Sequence, residues 1–291
     1  MLFRWEWLRP VVTVPYVPTL GPVHPSVLTE DLFADIVRAA EQRRFLRYDK
    51  DVRWSDVKDE TVLAEDIAHR RGETLLPTLV RRGRGTVKVH VYGVEPDSSI
   101  VAGELAAKLC ARHDAARARV VTFLGPEYTG CDGAGTRVQL KDFTAMPSPA
   151  PQPGTVTPFG DCPGAVRAGF AAFAAQMAAH GFGFLQRQML AGGVGPVLVA
   201  VHKGRVAGAI GPMEIRPDAV GARQLMPQYF GVLSEHRGRG YGRALWRAAM
   251  RWGQEHGAEY QLLQTEVGGA SDRLCRSEGL RSLGIVRATA L

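Results

Sequence analysis

The order and patterning of these 291 residues predict an α/β protein of two regions. The C-terminal one reads as a mixed sheet with helices on both faces, and a second α/β domain precedes it. Three observations carry this. The stretch "TAMPSPAPQPGTVTPFGDCPG" (144–164) is rich in prolines and small residues, lacks apolar periodicity, and divides the chain. Before it, strand, helix and strand patterns follow one another over 86–124. After it, a hairpin pattern is followed by strand, helix and strand, which mixes antiparallel with parallel neighbours. The expected domains are 1–145, a linker at 146–164, and 165–291. An apolar fraction of 45% with 22% charged residues lets each region build its own core.

The N-terminal region opens with a proline-punctuated extended segment through about Pro25. "TEDLFADIVRAAEQRRFL" (29–46) places Leu32, Phe33, Ile36, Val37 and Ala40 on one helical face, with Thr29 as N-cap. A second helix is expected around Asp59–Arg71. "TVKVHVYGV" (86–94) alternates as a half-buried strand does, "SSIVAGELAAKLCARH" (98–113) reads as a helix, and "ARVVTFL" (118–124) as a strand. The basic run "RRGRG" (81–85) precedes a strand, so it reads as a solvated loop. Trp5, Trp7 and Trp54 are assigned to packing, with lining a cleft as the alternative. This region holds no motif that points to chemistry.

In the C-terminal region, "GFAAFAAQMAAHG" (169–181) is an Ala-rich helix and "FLQRQMLAG" a second short one. "PVLVAVHKGRVAGAIGPMEI" (196–215) is a hairpin turning at Lys203–Gly204, which makes His202 a surface residue beside the turn. A third strand is expected over 223–233, a long helix over 240–257, a strand over 259–267, a helix over 270–279 and a last strand over 280–288.

No apolar run approaches the roughly 20 residues that a membrane-spanning helix needs. The N-terminus lacks the basic start, apolar stretch and cleavage site of a secretory signal, so a cytoplasmic protein is expected. Cys110, Cys131, Cys162 and Cys275 are widely spaced, which points to reduced thiols and to no metal site. The formal charge of +7 comes with arginine greatly outnumbering lysine. No nucleic-acid-binding motif accompanies it, so an anionic small ligand is the better partner.

That anion has an obvious place. In "EHRGRGYGRALW" (235–246), three glycines and three arginines run straight into a helix. The first turn of a helix leaves N–H groups without partners, pointing along the axis with partial positive charge. Gly238, Gly240 and Gly242 let backbone approach an oxygen, and Arg237, Arg239 and Arg243 add formal charge. The arrangement suits a pyrophosphate, with a purely structural tight turn as the alternative. It is not a P-loop, because no Lys-Ser/Thr follows, and the G-x-G-x-G spacing is not the Rossmann one.

"VLSEHRGRGYGRALW" resembles the central motif of the GCN5-related N-acetyltransferases, the GNAT superfamily. Arg237, Gly240 and Gly242 fill its Arg/Gln-x-x-Gly-x-Gly/Ala positions. "ASDRLCRSEGLRSLG" is similar to that family's last helix and strand, with Leu274, Gly279 and Leu280 matching and Cys275 where tyrosine is usual. The resemblance covers roughly 165–291. It implies a GNAT-like C-terminal domain, with the N-terminal region as a possible degenerate copy of that fold.

The resemblance also implies an acyl-CoA co-substrate, acetyl-CoA first among them, and no metal. The diphosphate would lie on the amides of Arg237, Gly238, Arg239, Gly240, Tyr241 and Gly242, with Arg243 adding charge. Val232 and Leu233 would hold the pantetheine arm through backbone groups. An N–H of that strand would polarise the thioester carbonyl.

Transfer to an amine needs a base for the ammonium and a proton for the departing thiolate. The strand before the loop offers Gln224, Met226, Gln228 and Tyr229, but not the glutamate that many relatives place there. The acidic alternatives are Glu214 and Glu266. Glu266 is the better placed as a base, with a solvated strand end as its structural reading. Cys275 is either a proton donor or a small buried hydrophobe, and Tyr229 is an alternative donor. Glu235 is expected to face solvent. The expected function is N-acetyl transfer to a small-molecule amine such as an antibiotic, amino acid or amino sugar. The alternatives are a non-catalytic acyl-CoA-binding regulator and a protein- or ribosome-associated acetyltransferase.

Overall fold

The computed structural model describes residues 4–70, 72–93, 98–128, 135–144 and 156–291. Cys131 and most of the predicted linker (145–155) lie outside them. The chain divides into two compact units. One comprises Met1–Lys141, Asp218–Val220 and Leu262–Leu291, and the other Asp142–Pro217 and Gly221–Gln261.

In the first unit, Thr29 caps α1 (Glu30–Glu41), its Oγ1 accepting from the Leu32 N–H at 3.2 Å. Leu32, Phe33, Ile36 and Ala40 turn inward as the spacing predicts. The helix expected around 59–71 does not form. That segment instead supplies β1 (Glu60–Val62) and β2 (Ala68–Arg70), both antiparallel to β3 (Glu73–Val80). Tertiary pairing overrides helical spacing here, since Thr61 and Val62 suit a pleated, half-buried surface.

β3 runs on through Pro77, which cannot donate, and the Pro77 carbonyl accepts from the Leu63 N–H at 3.0 Å. β4 (Thr86–Gly93) pairs antiparallel with β3 along its whole length. After α2 (Ser98–Arg112), β5 (Arg117–Leu124) returns parallel to β4. β6 (Thr136–Asp142) completes the N-terminal contribution.

The faces of β3 and β4 separate cleanly. Leu75, Leu79, Val87 and Val89 pack with Ala102, Ala106 and Leu109 of α2. Leu76 and Tyr92 join Phe33 and Ile36 on the other side. The latter face also carries His90, 1% exposed, its Nδ1 3.0 Å from the Leu76 carbonyl oxygen. Burial pushes its pKa down to about 4. Trp5 packs at a tilt on Phe33 at 5.1 Å, Trp7 meets His69 at 6.2 Å, and Arg53 covers Trp54 at 4.6 Å, so all three tryptophans pack within this unit.

The second unit begins with β7 (Val156–Pro158), inside the stretch read as linker. α3 (Gly164–Gln176) starts five residues earlier than its Ala pattern suggests, and α4 (Phe182–Ala191) follows. β8 (Leu198–His202) and β9 (Arg205–Gly211) form the expected hairpin. The single strand expected over 223–233 is two strands. β10 (Ile215–Pro217) pairs with β11 (Arg223–Leu225), the chain breaks at Pro227, and β12 (Tyr229–Val232) pairs with β9 instead. α5 (Tyr241–Glu255) leads to β13 (Tyr260–Glu266), whose start lies parallel to β11.

The small sheet runs β12-β9-β8-β7. Val197, Val199 and Ala209 pack with Phe170, Phe173 and Phe182 on one side. On the other, a Cβ at Gly208 would lie 3.0 Å from Leu245 of α5, so helices cover both faces.

The chain finishes in the first unit with α6 (Ala270–Ser277) and β14 (Arg281–Ala290). β14 bonds β5 over Ile285–Ala290 and β6 over Arg281–Val286. Those ladders carry the last thirty residues into the first unit, so the compact units do not follow the expected bounds of 1–145 and 165–291. Among the described residues, no helix is long and apolar enough to cross a membrane.

Candidate functional site

β12 lies at a sheet edge. It pairs with β9, Tyr229 opposite Gly211 and Val232 opposite Gly208, and has no second strand partner among the described residues. The Leu233 N–H donates to the Ala207 carbonyl at 3.0 Å, so it is not available to a ligand. This corrects the expectation that both Val232 and Leu233 present backbone groups. In an antiparallel ladder the bonding direction alternates residue by residue, so Phe230 and Val232 turn theirs away from β9. The Val232 carbonyl accordingly accepts from Arg237 Nε at 3.3 Å.

Beyond Leu233 a short turn (Ser234–His236) leads into the glycine loop. Gly238 has φ +77° and Gly240 φ +83°, with nothing within 4 Å of a Cβ at either. Backbone conformation, not crowding, demands glycine there. Gly240 is the N-cap of α5 and offers no capping side chain, so the first-turn N–H groups have no side-chain acceptor. Arg237, Arg239 and Arg243 are exposed around them.

α5 holds this end in place by burying Leu245, Trp246, Ala249 and Met250. Each large apolar side chain contributes about 1.5–3 kcal/mol. An extended edge beside uncapped amides and exposed guanidinium groups can bind an anion attached to an extended arm.

Tyr229 is partly buried and packs between Phe182 and Phe184, with ring centroids 6.4 and 6.2 Å away. Glu214 pairs with Arg216 at 2.5 Å. Glu235 is exposed and accepts from Ser234 Oγ at 3.1 Å, as its expected solvent-facing role requires. Glu266 and Cys275 fall in the first unit. Glu266 is exposed at the end of β13, its carbonyl accepting from Gly269. Cys275 is 2% exposed on α6, and burial, with Asp272 beside it, pushes its thiol up to about 12. It therefore stays protonated and holds its proton too tightly to be an effective donor near neutral pH.

The sequence reading missed two arrangements. A part-buried amide pair, with Gln261 Nε2 donating to Gln228 Oε1 at 2.7 Å, lies just before β12. His202 is not simply a surface residue. Its Nδ1 lies 2.8 Å from the Tyr241 hydroxyl, and its ring lies 5.0 Å from that of His236. No local pattern could show this, because the three residues come from different elements. Among the described residues, no group of three or more His, Cys, Asp or Glu side chains is placed to hold a metal.

Residues 172–275 match the acetyltransferase (GNAT) family model. No curated protein matches the chain. Solved structures similar to it include a GCN5-related N-acetyltransferase from Sphaerobacter thermophilus, 17% identical over 83% of this chain and 84% of that one, with a TM-score of 0.48. A tandem GNAT protein from the clavulanic acid biosynthesis pathway is 14% identical over 89% and 94%, with a TM-score of 0.45. A GCN5-related N-acetyltransferase from Kribbella flavida is 14% identical over 77% and 88%, with a TM-score of 0.42. Residues 172–275, which include the glycine loop, form a domain of the acetyltransferase (GNAT) family.

Proposed function

We propose that this protein binds an acyl-CoA, acetyl-CoA first among them, along β12 and the α5 entrance, and transfers the acyl group to a primary amine of a small molecule. The observation that carries the reading is an open strand edge running directly into an uncapped, arginine-ringed helix start. The residues present fit such a carrier. The loop amides and Arg237, Arg239 and Arg243 suit its diphosphate, and the outward backbone groups of Phe230 and Val232 suit its amide-bearing arm. When bound, the carrier supplies the activated thioester.

The chain's own part is to orient, polarise and move protons. An outward N–H of β12 would polarise the thioester carbonyl as charge develops on its oxygen. Tyr229, on the same strand, is the proposed proton donor to the departing sulfur. Taking the proton from the ammonium falls to a base acting through water; Glu266, the expected base, belongs to the other compact unit. Cys275 is assigned a packing role because its thiol is buried.

Titration calorimetry with CoA, and thiol release from acetyl-CoA with a panel of small amines, test this. Binding with amine-dependent release is the expected outcome, and absence of CoA binding overturns it. A second reading, an acyl-CoA sensor without turnover, draws on one observation: β12, Tyr-Phe-Gly-Val, carries no carboxylate. Tight CoA binding without release on any amine would favour it.

A further inference from the structure

One cluster of titratable groups in the second unit has no part in the scheme above. The end of β8 supplies His202, the turn after β12 supplies His236, and the first residue of α5 supplies Tyr241. The two imidazole rings lie 5.0 Å apart, and each lies about a ring's width from Tyr241, at 6.0 Å for His202 and 6.2 Å for His236. The Tyr241 hydroxyl occupies His202 Nδ1 at 2.8 Å. Among the described residues, His236 Nδ1 is buried and has no partner, which is costly for a polar atom unless something visits it.

The charges nearby are almost all of one sign. Lys203 in the hairpin turn, Arg205 on β9, and Arg237 and Arg239 in the loop are exposed. The carboxylate of the turn, Glu235, bonds Ser234 Oγ. Partial burial and then His236, Arg239 and Lys203 push the His202 pKa below its ordinary value. Such a group regains its proton when negative charge arrives.

We propose that His202, His236 and Tyr241, ringed by Lys203, Arg205 and Arg239, form a phosphomonoester subsite beside the diphosphate loop, and that filling it takes up a proton. This rests on the acyl-CoA reading, since CoA carries a ribose 3′-phosphomonoester in addition to its diphosphate. A phosphomonoester has its second ionisation near pH 6, so at neutral pH it brings close to two negative charges. His202 can supply a charge-assisted N–H to such an oxygen once protonated, the His236 ring a second N–H and the Tyr241 hydroxyl a third donor.

Calorimetric titration of the full chain with CoA and with 3′-dephospho-CoA tests the assignment. It is run at pH 6.5 and 8 in two buffers of different ionisation enthalpy, for the native protein and for His202→Gln and His236→Gln. The native protein is expected to prefer CoA by about tenfold at pH 6.5, the worth of one charge-assisted hydrogen bond. The preference should shrink at pH 8, and binding of CoA should take up protons that dephospho-CoA does not. Each variant should lose most of the preference, and His202→Gln most of the proton uptake, with dephospho-CoA affinity and melting temperature kept.

Equal affinity of the native protein for both compounds overturns the subsite. So do variants that weaken both compounds alike, which would assign the cluster to the diphosphate or to clamping the hairpin. Failure of the native protein to bind either compound sinks the acyl-CoA reading itself.

Discussion

Strand–helix–strand order occurs in both units, at β4-α2-β5 and at β12-α5-β13, each after an antiparallel partner strand. The two differ at the strand that feeds the helix. β4 is paired on both edges, with β3 over Glu73–Val80 and with β5 from Thr86 to Val91. β12 is paired on one edge only among the described residues. The junctions differ in kind too: "VEPD" (94–97) is acidic and holds a proline, whereas "RGRGYGR" (237–243) is basic and glycine-rich. The same order of elements therefore gives two parallel neighbours in one unit, whereas in the other the two strands lie in different sheets and the first keeps an open edge. Edge pairing and junction charge, more than the order of elements, separate the two.

The comparison breaks first at Val232. Its N–H faces away from β9, so Val232→Pro should leave the small sheet folded yet lower kcat/KM by about 100-fold or more, the scale of a lost oxyanion donor. Leu233→Pro, which removes the bond to Ala207, should instead lower the melting temperature. Loss of folding in the first variant, or full activity, would show that the open edge is not the binding surface. Acetyl transfer assays beside thermal melts separate these outcomes.

Removing charge at the junction should have the next largest effect. Arg237→Ala with Arg239→Ala should weaken CoA about 10- to 100-fold in calorimetry and flatten the dependence of affinity on salt. A change below twofold would mean that the arginines serve solubility alone.

The closed unit has its own sensitivity, to pH. His90 is buried with a folded pKa of about 4 against an ordinary value near 6.5. Between those values the unfolded chain binds a proton that the folded one does not, so the stability is present above pH 6.5 and drains away as pH falls toward 4. The loss is about 3 kcal/mol in all. Chemical denaturation across that range should show it, and His90→Gln should flatten the curve. An unchanged slope would place the acid sensitivity elsewhere.

The smallest effects sharpen the roles of the loop glycines. Gly240→Ala must hold φ +83° and should cost about 1 kcal/mol. At Gly242 a Cβ would lie 3.6 Å from Phe230, an ordinary contact, so Gly242→Ala should be neutral or stabilise by up to about 1 kcal/mol. Denaturant midpoints for the pair measure the difference, and equal values would remove the conformational argument.

Much of this was legible residue by residue. The face of α1 and its Thr29 cap, the β8–β9 hairpin, the start of α5 and the anion-suited loop all follow from interactions within a few positions. The misreadings share one cause. Around 59–71, local spacing suits a helix, but β3 offers a ladder, and the ladder wins. The strand drawn from 223 to 233 looked continuous because its residues suit a strand, yet its two halves pair with different partners on either side of Pro227. β3 hid behind Pro77, and β6 had no local signal.

The amino-acid order by itself determined the α/β class, the glycine turn and its positive charge, because helix starts, caps and left-handed glycines are settled by neighbours in the chain. Tertiary structure alone decided that Leu233 is bonded while Val232 faces outward. It also decided that Cys275 is sealed in a core, and that His202, His236 and Tyr241 meet. Those outcomes depend on which strand lies beside which. Pairing between segments tens of residues apart is set by the burial and hydrogen bonding of the whole fold, which no short window of sequence contains.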